Sequence, residues 1–176
     1  MSVGGESVQA GGRAHVRVQL DGGAVDVDTG LPVLDHLVGL LARYGRFGLA
    51  LEVEPGGAEA EVALAGATLG EALAGPLRAP GAPGYGSASM PASEALAQVA
   101  LEAADEPLLV SNVDLSQARI AGLASDLADR FLRRFAEGAG LTIHVRLVHG
   151  TDTQHVADAI FKALGVALAQ AVAASR

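Results

Sequence analysis

The stretch Leu141–Leu164, LTIHVRLVHGTDTQHVADAIFKAL, decides the fold of this 176-residue chain. It reads as a strand, a polar loop and a helix. His144 sits on the strand, and His155, Asp158 and Lys162 sit at the start of the helix. An earlier stretch is built to the same plan. Gly48–Val53, GLALEV, parallels Gly140–Val145, GLTIHV. Thr68–Ala74, TLGEALA, parallels Ala163–Ala169, ALGVALA. A helix precedes each strand, and the loop is three residues longer in the second copy. Helix, strand, loop and helix, repeated, predict an α+β protein of two similar β-sheet-plus-helices halves. The half-repeats run over about 14–78 and 92–174 of a single domain, 1–176, with a Gly/Pro-rich connector at 79–91.

Working outward, Ala14–Leu20 alternates as a strand, Asp21-Gly22-Gly23 is a turn, and Ala24–Asp28 is the returning strand. Leu34–Tyr44 is a helix, with Asp35 helping to cap it and Gly45 as its C-terminal glycine. Leu49–Val53 is a strand and Glu61–Leu73 a helix. Arg78–Pro91, RAPGAPGYGSASMP, is a loop joining the halves. Ser93–Ala103 is a short helix or an apolar segment, Pro107–Val113 a strand, and Ser125–Glu137 an amphipathic helix.

Half the residues are apolar, so a sizeable core is available. With no Trp, two Tyr and four Phe, it must be built mostly of Ala, Val and Leu. There is no cysteine, which excludes disulfides and thiolate metal sites and favours the cytoplasm. Met1–Arg13 is polar and glycine-rich, unlike a signal peptide. Val156–Ala174 is apolar enough to suggest a membrane span, but Asp158, Lys162 and Gln170 make it a buried core helix. A net charge of −8 argues against nucleic acid and anionic membranes as partners. A phosphorylated ligand would need a local cation. Lys162 is the sole lysine, and Arg130, Arg133 and Arg134 form the one arginine cluster.

His155 and Asp158 share a helix face, with Lys162 four residues beyond Asp158. Two readings fit this spacing. Imidazoles with a carboxylate suit Mn, Zn or Fe, and without thiolates a harder metal. Alternatively, Asp158 is a helix-dipole partner paired with Lys162, His155 an exposed first-turn residue and His144 a solvent-facing strand residue.

Four segments, in order, carry a resemblance. They are TGLPVLDHLVGLLARYGRFGL at Thr29–Leu49, LGEAL at Leu69–Leu73, YGSASMPASEALAQV at Tyr85–Val99, and Leu141–Leu164 itself. Together, from about Arg13 to Val172, they resemble the imidazoleglycerol-phosphate dehydratase family of histidine biosynthesis. The resemblance implies paired sheet-and-helix halves and a homo-oligomer, a large symmetric cage with sites between subunits. It also implies a pair of manganese ions held by His and Glu, and an imidazole-bearing phosphate as ligand. The metal acts as a Lewis acid while water is lost from the glycerol-phosphate side chain.

Carried over position by position, the family's ligands fall on His36, His144, His155 and Asp158. Gln154 stands where the second His pair begins, and Asp158 where its Glu stands. In the first copy the His pair falls on Glu59 and Ala60, and the Glu and the following Asp on Ala63 and Leu64. The substrate-facing arginines become Pro83-Gly84 and Glu106, and the nearby His becomes Ser87. The Gln and His of the first helix become Leu40 and Tyr44, and the N-terminal Glu becomes Gly11. The family's Ser/Lys tail has no counterpart before Arg176. Lys162 is the remaining phosphate-facing cation. The pattern implies a homologue with impaired or lost catalysis and a structural or binding role. The alternative is an active dehydratase with an altered, single-metal site.

Overall fold

The computed structural model describes residues 1–9, 12–114, 119–120, 123–124 and 126–173. Gly11, Ser125 and the residues after 173 lie outside it. Two four-stranded sheets carry the fold. The first is formed by β1 (Ser2–Gln9), β2 (Gly12–Gln19), β3 (Val25–Asp28) and β4 (Gly48–Val53), in the order β1-β2-β4-β3. The second is formed by β5 (Tyr85–Ala92), β6 (Ala95–Ala103), β7 (Leu108–Ser111) and β10 (Leu141–His149), in the order β5-β6-β10-β7. The pairing is the same in both. Each begins with an antiparallel hairpin, and the last strand of the half pairs antiparallel with it. The fourth strand pairs parallel with that last strand. Two short strands, β8 (Arg119–Ile120) and β9 (Leu123–Ala124), form a separate ribbon.

Four expectations change. Ser2–Gln9 is a strand, because its backbone pairs along the whole of β2. Val25–Asp28 does not return against β2. It crosses to the far side of β4 and runs parallel to it. The second half of the expected loop Arg78–Pro91 is β5, and Ser93–Ala103 is mostly β6. Small residues with few branched side chains hid this hairpin. It is held by pairing rather than propensity, and its turn sets Ser93 at φ 49°.

The helices are α1 (Pro32–Gly45), α2 (Ala58–Leu77), α3 (Asp126–Ala139) and α4 (Thr153–Val172). Strand residues alternate between helix-facing buried positions, such as Leu141, Ile143 and Val145, and exposed ones. Helix α4 is long and apolar enough to cross a membrane, but most of it is buried inside the protein. Phe131 and Phe161 meet at 5.5 Å between ring centroids in a core otherwise dominated by Ala, Val and Leu.

The halves interlock through their helices. Helix α2 packs on α3 and α4 on α1, so each half's second helix rests on the other half's first. Glycines at repeat-equivalent positions allow it. A Cβ at Gly70 would stand 2.5 Å from the Phe135 carbonyl oxygen, and one at Gly165 would stand 2.2 Å from that of Leu41. Gly45 serves the same contact rather than the cap expected of it. A Cβ there would lie 2.9 Å from the Gly165 oxygen, and the left-handed residue is Arg46, at φ 58°. Asp35 holds the entry to α1 by accepting from the Thr29 backbone N–H at 2.8 Å and hydroxyl at 2.6 Å. That tether places the next residue, His36.

Thr68 lies in the same interior, fully buried, and its hydroxyl has no partner among the described residues. A buried hydroxyl left unpaired costs free energy, and valine has nearly its shape. Thr68→Val is expected to raise the unfolding free energy by about 1 kcal/mol, read by urea titration.

Candidate functional site

The N-terminal end of α4 gathers three of the four expected ligands. Asp152 caps the helix by accepting from the His155 backbone N–H at 3.0 Å. One turn on, Asp158 meets His36 from α1. The His36 Nε2–H donates to Asp158 Oδ1 at 3.0 Å. The Gln154 side-chain amide donates to that same oxygen at 2.7 Å. Both lone pairs of Oδ1 are therefore engaged.

His155 turns instead toward Glu94, in the β5–β6 turn. Its Nδ1–H donates to Glu94 Oε2 at 2.5 Å. The other carboxylate oxygen, Oε1, accepts from the backbone N–H groups of Asp152 at 3.0 Å and Thr151 at 3.4 Å. The Asp152 N–H and then the imidazole favour the ionised carboxyl, holding Glu94 down to about 2. The Glu94 carboxylate in turn raises His155 above its ordinary value.

A pH dependence follows. Glu94 binds its proton more weakly in the folded chain, so its contribution is present above 4.5 and is lost as pH falls toward about 2. His155 binds its proton more tightly, so its contribution is present below 6.5 and is lost as pH rises through its raised value. The stability difference between the native chain and a Glu94→Ala variant is expected to be widest between pH 4.5 and 6.5. It should narrow on both sides. A difference that is flat from pH 3 to pH 9 would sink the pairing.

Lys162 stands one turn beyond Asp158 but does not pair with it. Its Nζ donates to the Pro91 carbonyl at 3.2 Å and lies 5.0 Å from the centre of the Tyr44 ring. The expected Asp158–Lys162 ion pair is replaced because each residue has a nearer partner on another element.

His144 is not brought to this group. It is exposed on the outer face of β10, among Gln98, Asn112 and Arg146, while α4 packs on the inner face of the sheet, over β5 and β6. Its cross-strand row runs Ser87–Ala100–His144–Val110. The equivalent row of the first sheet is Glu6–His15–Glu52–Asp28. In the first half Glu59 is exposed and pairs with Arg130 at 3.5 Å, across the α2–α3 contact.

Glu94 was missed in the sequence. A helix reading of Ser93–Ala103 left no turn there. A hairpin reading would have aimed its turn at the loop before α4, where Gly150 packs against Ala95. A cavity of about 220 Å³, lined by Leu132, Val145, Ile160 and Phe161, holds none of these groups; its polar lining is Ser111, Asp114, Asp126 and Asp129.

The nitrogen and oxygen donors are of the kind manganese accepts. Their number and arrangement do not suit it within one chain. No group of three or more His, Asp or Glu converges on a common point among the described residues.

Comparisons with known proteins meet this geometry from outside. A family model described as imidazoleglycerol-phosphate dehydratase matches residues 29–168. Imidazoleglycerol-phosphate dehydratase of Moorella thermoacetica is 39% identical over 164 residues, covering 90% of this chain and 83% of the relative. That of Bacillus cereus is 37% identical over 165 residues, covering 91% and 85%. The crystal structure of the Staphylococcus aureus enzyme superposes with a TM-score of 0.87 at 26% identity, covering 99% of this chain and 100% of that one. The Pyrococcus furiosus enzyme, crystallised with (S)-C348, gives a TM-score of 0.83 at 26% identity, covering 98% and 94%.

Proposed function

From the premise that this chain belongs to the imidazoleglycerol-phosphate dehydratase family, we propose that it is a homologue with impaired catalysis, keeping a ligand-binding role at the start of α4. The observation that carries this reading is Asp158. Its Oδ1 accepts from both Gln154 and His36, so that oxygen is filled within the chain and the His36 Nε2 is spent as a donor rather than offered as a lone pair. The emptied first copy, with Ala60 and Ala63 in place of ligands, supports it too.

Manganese would meet His36, His155 and Asp158 here, and it would supply Lewis-acid stabilisation of a developing imidazolate. No step is assigned to it, because one chain does not close its shell. What this chain's residues do is narrower. Lys162 presents a cation to an anionic group, and the Glu94–His155 pair holds one imidazole in place. His144 could join them only from a second copy of the chain, so a homo-oligomer, and by family a cage, belongs to this reading. The cytoplasm is the compartment it implies. Light scattering showing a monomer would remove inter-subunit completion.

A second reading, an active enzyme with one metal, is favoured by the ordered His155 and by the family match itself. Two measurements decide between them. Metal analysis of the purified protein is expected to find less than one manganese per chain. An assay of imidazoleglycerol-phosphate dehydration is expected to show turnover far below that of the Moorella or Bacillus relatives. Comparable turnover would overturn the impaired reading.

A further inference from the structure

Glu94 sits on a turn between two strands, far in sequence from His155, yet its carboxylate is fixed at both oxygens. One oxygen accepts from two backbone N–H groups of the loop before α4, and these donors cannot be exchanged or rotated away. That leaves only the other oxygen for His155, and a carboxylate oxygen can only accept. We propose that Glu94 is a positioning residue that locks His155 in the Nδ1–H tautomer, so that Nε2 carries the lone pair offered to a ligand.

The lock is one-sided by construction. His155 cannot present Nδ1 as a lone pair without facing Glu94 Oε2 at 2.5 Å with two acceptors in contact. Its backbone is pinned as well, because the Asp152 cap holds its N–H. Ring position, ring orientation and proton location are thus set by two separate contacts. A ligand meeting Nε2 finds a formed donor rather than a mixture of tautomers.

The arrangement makes a sharp distinction between two substitutions. In Glu94→Gln the two backbone N–H donors demand the amide oxygen, which turns the NH2 toward His155 Nδ1. The imidazole must then accept at Nδ1 and carry its proton on Nε2. Glu94→Gln should invert the tautomer, whereas Glu94→Ala should only release it. Glu94 is exposed, so neither change disturbs the core.

What Nε2 meets rests on the dehydratase reading; the tautomer does not. The test is ring-nitrogen NMR of the full chain at a pH where His155 is neutral. The native protein should show protonated Nδ1, Glu94→Gln protonated Nε2, and Glu94→Ala a mixture. Protonated Nε2 in the native protein, or the same tautomer in all three, would overturn the proposal. Titration with Mn²⁺ alone adds a second arm. Selective broadening of the His155 ring should appear in the native protein, and its midpoint should rise about tenfold or more in Glu94→Gln. An equal midpoint in both would overturn the role in ligand binding. No broadening in the native protein would count against any metal-binding reading, with the tautomer result still judging the lock.

Discussion

Gly165→Ala is expected to lower the unfolding free energy by about 3 kcal/mol, seen as a fall in the urea midpoint at unchanged slope. In an isolated helix the same change would be favourable by about 1 kcal/mol. Packing reverses the sign. A methyl group at this position would stand 2.2 Å from the Leu41 carbonyl oxygen and 2.9 Å from the Gly45 nitrogen. Both are backbone atoms of α1, which cannot rotate aside, so the two helices must separate. Because α1 and α4 belong to different halves, separation would loosen the whole interior rather than one edge. Gly39→Ala is the control. That glycine lies in α1 with no positive φ, and a Cβ there would meet only the flexible Arg43 side chain, at 3.8 Å, so the change should be neutral or stabilising by up to about 1 kcal/mol. If both substitutions cost the same, close helix approach is not what holds the halves together.

The double substitution Gln154→His with Asp158→Glu is expected to raise manganese affinity by about tenfold or more, roughly 1.4 kcal/mol. The physical reason is the exchange of a donor for an acceptor. Gln154 now spends one amide N–H on Asp158 Oδ1 at 2.7 Å. A neutral imidazole at that position offers a lone pair, and the longer carboxylate reaches past the hydrogen bond now made with His36. Dehydration turnover should rise with metal uptake if the missing ligands are what limits the native chain. A gain in affinity without turnover would place the deficit on the substrate side. There the resemblance implies cations and an imidazole at the positions of Pro83, Gly84 and Ser87. No gain in affinity would show that the second half-site was not limited by these two residues, and it would weaken the impaired reading.

The repeat in the sequence already contained the two-fold design. Leu141–Leu164 and its earlier copy have matching apolar positions, and those positions are the ones buried in both sheets. Periodicity and paired glycines are local properties of a chain, so α2, α3, β4, β10 and α4 could be placed from residues alone. The candidate residues His36, His155 and Asp158 could be named in the same way, through the resemblance carried by short motifs. Long-range pairing could not. Nothing local in Val25–Asp28 says that it joins β4 in parallel instead of returning to β2. Nothing local in the small residues of Tyr85–Ala92 says strand, and with that hairpin unseen, Glu94 could not be found.

What the sequence determined alone, then, was the family and the repeat, because these reside in residue identity and spacing. Tertiary structure alone decided who partners whom. It gave Asp158 to Gln154 and His36, His155 to Glu94, and Lys162 to Pro91 and Tyr44. It also set His144 on the opposite face of the sheet. Hydrogen-bond partners are chosen by proximity after the core has formed, and that proximity depends on how α4 rests on α1 and on the β5–β6 hairpin.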